Sequence, residues 1–155
     1  MVINKIPIIK FSKEGYEKLS INLIKLEQQR EKAIESLQKA REQGDLSENG
    51  AYKAARYELG NVDRQLRLVK YQLRFGKVIE KTTNDKIDFG STITIDNGNK
   101  KMIFTLVGGY ESDPKQNKLS TYSPIGKAVI GKKVGETVLV QTPSGERKFT
   151  IISVK

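Results

Sequence analysis

The sequence contains no cysteine and no histidine. Without cysteine there are no disulfides and no thiolate zinc sites. Without histidine the usual general base and the commonest metal ligand are missing. Any metal this chain holds must be held by oxygen, which suits Mg²⁺. Tryptophan is absent and aromatic residues make up only 7% of the chain, too few to line an aromatic-rich pocket. No proline occurs between Pro7 and Pro114, so nothing there breaks a long helix. No apolar run approaches the ~20 residues of a membrane span. The N-terminus lacks the continuous apolar stretch of a secretory signal, and a cytoplasmic protein is expected.

What is present is charge. Of 155 residues, 30% are charged and 37% are hydrophobic, a balance that suits a large exposed surface over a small core. Basic residues number 28 against 18 acidic, a formal net charge of +10. Such a surplus favours a polyanionic partner, nucleic acid first. A merely soluble basic protein would have the same composition. The length allows one ordinary domain or two small ones.

The first half has the period of a helix. Tyr16, Leu19, Leu23, Leu26, Arg30, Ala33, Leu37 and Ala40 step by three and four, a heptad seam with one charged intruder, Arg30. Ser12 is placed to cap this helix, and Glu14 lies in its first turn, where the dipole favours an anion. A second seam follows in Tyr52, Ala55, Leu59, Val62, Leu66, Val69 and Leu73. The connection between them is short and contains Gly44, a natural helix terminator. A short connection forces the helices antiparallel. The pattern predicts a self-zipping helical hairpin over 1–78, a coiled coil whose first helix, from about Ser12 to Gln43, is ~45–50 Å long at 1.5 Å per residue. Its stripes are narrow, so a protruding rod is expected.

Near Gly76 the period changes to two. Ser91–Ile95 and Lys101–Val107 alternate on either side of Asp96-Asn97-Gly98-Asn99, a strong hairpin signal. Thr137–Thr142 and Arg147–Val154 form a second pair around Pro143-Ser144-Gly145-Glu146. Ser123, Pro124 and Gly131 bracket a short helix as cap, first residue and stop. The chain is thus expected to be α+β, with 79–155 a small antiparallel sheet carrying one short helix and packed against the base of the rod. A monomer is expected because the hairpin pairs with itself.

The far end of the hairpin carries the most chemistry. Asp45 and Glu48 are carboxylates three residues apart at the turn. One reading is a capping box, with Asp45 capping the second helix and Glu48 answering from the third position. The other is half of a metal site, since two exposed carboxylates can share a hard divalent cation that a partner helps to hold. Arg41, Lys53 and Arg56 lie just behind. They fit a phosphate-contacting patch for an RNA end, and equally a solvated helix face. Tyr52 and Tyr57 are of a type that stacks on bases, although Tyr52 also belongs to the seam.

The run Ala40-Arg41-Glu42-Gln43-Gly44-Asp45-Leu46-Ser47-Glu48-Asn49 resembles the tip motif of bacterial Gre-type transcript-cleavage factors. Glu14-Gly15 with Lys18-Leu19, then Phe89-Gly90-Ser91, Val107-Gly108 with Glu111, Ser123-Pro124-Ile125-Gly126-Lys127-Ala128 and Pro143-Ser144-Gly145-Glu146 are also similar to that family, in order over nearly the whole chain. The resemblance implies an FKBP-like second half that docks on the rim of the RNA polymerase secondary channel, Ser123 and Pro124 belonging to the docking surface. It implies a coiled coil that enters the channel, with Asp45 and Glu48 helping the polymerase hold a second Mg²⁺ for hydrolysis near the 3′ end of backtracked nascent RNA. The protein would then stimulate the polymerase's own activity and not be an enzyme itself.

The sequence departs from the family pattern in three respects. Ala51, after Gly50, stands where a further acid is usual. Tyr122 replaces a small polar or acidic residue before Ser123-Pro124. The chain is basic where many relatives are acidic. Ala51 motivates an alternative, a non-catalytic channel binder that inhibits the polymerase. The FKBP-like half suggests a more distant one, a prolyl isomerase.

Overall fold

The structure, a computed structural model, describes residues 7–43, 49–80 and 85–155. Contacts divide the chain into two compact units. One comprises Tyr16–Gly76, and the other combines Ile8–Gly15 with Lys77–Lys155.

The helical unit follows from its seams. Helix α1, Lys13–Glu42, has 30 residues, about 45 Å at 1.5 Å per residue. Helix α2, Gly50–Phe75, has 26. The amide of Gly15 donates to Ser12 Oγ at 3.0 Å, so Ser12 caps α1 as expected. Leu26, Val62, Leu66 and Val69 form one buried cluster, flanked by Leu19, Leu23 and Leu73. Towards the other end the buried residues become small: Ala33, Ala40 and Ala55. The intruder Arg30 is accommodated sideways. Its Nε lies 2.7 Å from Asp63 Oδ1, with 46% of the arginine side chain exposed. Lys70 and Glu27 pair nearby at 3.3 Å.

The second unit is built on a five-stranded sheet. Strands β1 (Ile9–Phe11) and β2 (Gly76–Val78) pair with each other. Then come β3 (Thr92–Asp96), β4 (Lys101–Val107), β5 (Lys118–Ser120), the short helix α3 (Pro124–Val129), β6 (Thr137–Thr142) and β7 (Gly145–Val154). The sheet order is β5-β4-β3-β7-β6. Alternation puts Ile93 and Ile95 inside, where they join Ile87, Leu106, Val129, Val138, Val140, Phe149 and Ile151. Helix α3 closes this core with Val129, helped by Ile125 and Ala128. Gly98 takes φ +87° in the β3–β4 turn, a conformation that suits glycine.

The sheet is not wholly antiparallel. β5 runs parallel to β4, Leu106 opposite Leu119. Two 3₁₀ turns, Gly109–Glu111 and Pro114–Gln116, carry the chain back between them. Asn117, at φ 54°, ends the second turn. Asparagine tolerates this left-handed conformation better than most residues.

Ile8–Gly15 belongs to the sheet unit for identifiable reasons. Phe11 is buried and stacks with Tyr110 at 6.4 Å. Glu111 accepts from Ser12 twice, from the backbone N–H at 2.9 Å and from the hydroxyl. Lys118 Nζ lies 3.7 Å from Glu14. Gly15 leaves room for the Glu111 carboxylate, since a Cβ there would sit 2.0 Å from its oxygen.

Candidate functional site

Asp45 and Glu48 lie outside the described residues; the two ends of the connection that carries them do not. α1 ends at Glu42, and the amide of Gln43 donates to the Ala40 carbonyl at 3.4 Å. α2 starts at Gly50 with Asn49 as its N-cap, the Asn49 side chain accepting from the Tyr52 amide at 3.1 Å. This corrects the capping-box expectation. The cap is Asn49, where the capping-box reading names Asp45, and Gly50 is the first helical residue. Asparagine caps as well as aspartate does, and here the chain uses it.

Asn49 also spans the hairpin. Its amide nitrogen donates to the Ala40 carbonyl at 2.8 Å. That carbonyl, in the last turn of α1, also accepts from the Gln43 amide. One side chain therefore fills an orphan donor at the start of α2 and adds a second, shorter bond to a carbonyl at the end of α1. A second cross-link lies beside it, the Arg41 guanidinium sitting 5.9 Å from the centre of the Tyr52 ring, within cation–π range.

The three basic residues expected behind the carboxylates are all exposed. Lys53 and Arg56 are three apart on α2 and so share a face. Arg41 is on α1, packed over Tyr52. Tyr52 is half-buried, in keeping with its place in the seam, whereas Tyr57 is 70% exposed. Among the described residues no three acidic side chains gather into a possible metal site. The carboxylate pair fits a hard cation by donor type, because carboxylate oxygen is what such ions accept.

Ser123 and Pro124 are found as expected at the start of α3. The Ser123 hydroxyl accepts from the Gly126 amide at 3.0 Å and donates to the Ser120 carbonyl at 2.7 Å, so it holds the turn together. Pro124 is exposed. Tyr122, also exposed, helps line a shallow groove of about 310 Å³ with Lys10, Phe89, Lys127 and Ile130. No helix among the described residues is long and apolar enough to cross a membrane.

Comparison with known proteins gives two family models in tandem. "Transcription elongation factor, N-terminal" matches residues 9–78, and "Transcription elongation factor, GreA/GreB, C-term" matches 82–155. The chain belongs to the GreA/GreB family of transcription elongation factors. It is 36% identical to the transcription elongation factor GreA of Novosphingobium aromaticivorans, over 99% of this chain and 97% of that protein. It is 39% identical to GreA of Maridesulfovibrio salexigens, over 94% of each. A solved structure of the transcription factor Gfh1 aligns at 24% identity with a TM-score of 0.49, covering 97% of this chain and 99% of that one. The family membership bears out the resemblance carried by the run from Ala40 to Asn49.

The structural roles of two residues escaped the sequence reading, although both lie in runs that resemble the family. Asn49 was overlooked because Asp45 offered an earlier cap. Its signal was its place directly before Gly50-Ala51-Tyr52, where the helical pattern resumes. Glu111 carried no local signal, since its partner Ser12 is 99 residues away.

Proposed function

We propose that this protein binds bacterial RNA polymerase in the cytoplasm and stimulates cleavage of backtracked nascent RNA. The supporting observation is the closure of the helical hairpin at Ala40 and Asn49, which leaves Asp45 and Glu48 in the connection between the helices. In this reading the coiled coil enters the secondary channel, and Asp45 and Glu48 supply carboxylate oxygens to a Mg²⁺ shared with the polymerase. A bound Mg²⁺ polarises water and offsets charge developing on the scissile phosphate. Lys53 and Arg56, with Arg41 behind them, hold the phosphates of the RNA 3′ end. Ser123 fixes the turn that presents Pro124 to the channel rim.

The test uses backtracked elongation complexes with labelled RNA. The wild-type protein is expected to shorten the RNA. Asp45→Asn and Glu48→Gln are each expected to lower the cleavage rate at least ~100-fold, the scale of losing one charge-stabilising group, while still binding polymerase. Normal cleavage by both variants would overturn the proposal. Ala51 favours a second reading, since it removes an acid usual in the family. RNA of unchanged length with slowed synthesis would identify a non-catalytic channel binder.

A further inference from the structure

We propose that Asn49 is a positioning residue for Asp45 and Glu48, acting by clamping the two ends of the connection that carries them; this rests on the function proposed above. The Asn49 amide is used at both ends. Its oxygen caps α2 through the Tyr52 amide at 3.1 Å, and its nitrogen reaches the Ala40 carbonyl of α1 at 2.8 Å. Ala40 and Ala55 are both buried, small side chains that suit close approach of two helices. Arg41 over Tyr52 adds a second link across the same junction.

Capping alone does not call for this residue. Serine or aspartate caps a helix comparably. Neither can do what Asn49 does for Ala40: ionised aspartate has no hydrogen to donate, and serine has one oxygen, a bond nearer the backbone, in place of a separate acceptor and donor. Gly50 makes the clamp more important, because glycine at the first helical position leaves the backbone freer. With the clamp, Asp45 and Glu48 start from fixed ends. Without it both ends can splay, and misplacement of ~1 Å in a reacting constellation can lower rates by about 10²-fold.

The experiment compares Asn49→Ser and Asn49→Asp with wild type and Asp45→Asn in the full-length protein. Four quantities are measured: helix content by circular dichroism, binding to polymerase, cleavage rate at saturating protein, and the Mg²⁺ concentration giving half the maximal rate. Both Asn49 variants are expected to keep the cap, the helix content and polymerase binding. Their cleavage at saturating protein is expected to fall roughly tenfold or more, and Asn49→Ser should need several times more Mg²⁺. If Asp45→Asn is inactive while Asn49→Ser cleaves at the wild-type rate and Mg²⁺ requirement, the clamp proposal fails and the function stands. If the loss in Asn49→Ser is matched by lost helix or lost binding, Asn49 is only structural and the proposal is overturned. If Asp45→Asn, like Glu48→Gln, cleaves normally, the functional reading itself falls and takes the clamp's role with it.

Discussion

Gly15 lies within the first turn of α1, where alanine would ordinarily favour the helix by ~1 kcal/mol. The space its side chain would take is filled by the Glu111 carboxylate. Gly15→Ala therefore sets helix propensity against the two bonds from Ser12 to Glu111. Hydrogen bonds to a charged group contribute about 1.5–3 kcal/mol, so the bonds outweigh the propensity. The substitution is expected to destabilise the protein by about 1 kcal/mol in urea unfolding. In a Glu111→Ala background the sign should reverse, because only the propensity gain remains. A Gly15→Ala variant that is stabilised in both backgrounds would show that Glu111 moves aside freely.

At the scale of elements, the long helices were legible because their seams repeat over many turns, and one anomalous residue could not hide them. Arg30 shows the margin. Its pair with Asp63 is exposed enough that it is worth at most ~1 kcal/mol, whereas a leucine at this half-exposed seam position contributes about 1–1.5 kcal/mol, half the value for full burial. Arg30→Leu is expected to raise the melting temperature of the helical unit by several degrees, on the scale of about 4–8 °C per kcal/mol for a small domain. An unchanged or lower melting temperature would mean that the ion pair fixes the register of the seam. The two main hairpins were legible from alternation and from turn residues such as Asn97-Gly98. The strands that escaped, β1, β2 and β5, have three residues each, too few to display a period of two. β5 is also parallel, and no local pattern announces a partner reached through two 3₁₀ turns. At the candidate site, residue types and order were legible: the carboxylate pair, the basic residues and the Ser123 cap. Which residue starts α2 was not, because aspartate and asparagine cap equally well and only tertiary geometry chooses between them.

At the scale of the whole molecule, the net charge of +10 is unevenly spread. Helix α2 carries Lys53, Arg56, Arg64, Arg67, Lys70 and Arg74 against Glu58 and Asp63. Part of that charge is engaged: Lys70 with Glu27, and Arg74 over the Phe75 ring at 5.4 Å. If Lys53 and Arg56 bind phosphates, each contact releases counterions from the RNA. Replacing both with glutamine is then expected to lower the slope of log affinity against log salt by roughly one to two units, as measured on backtracked complexes between about 50 and 200 mM salt. A slope equal to that of the wild type would assign these residues to a solvated face.

The grouping of Ile8–Gly15 with Lys77–Lys155 makes the helical hairpin an insert within the sheet unit's chain. A cut at residue 78 strands β1 and Ser12 on the wrong fragment and leaves Glu111 without its donors. Exchange of hairpins between relatives should accordingly splice at 15/16 and 75/76, so that β1 and β2 stay together. Synthesis on the ribosome follows the same logic: β1 emerges first and waits through the whole hairpin before the strand that completes it arrives.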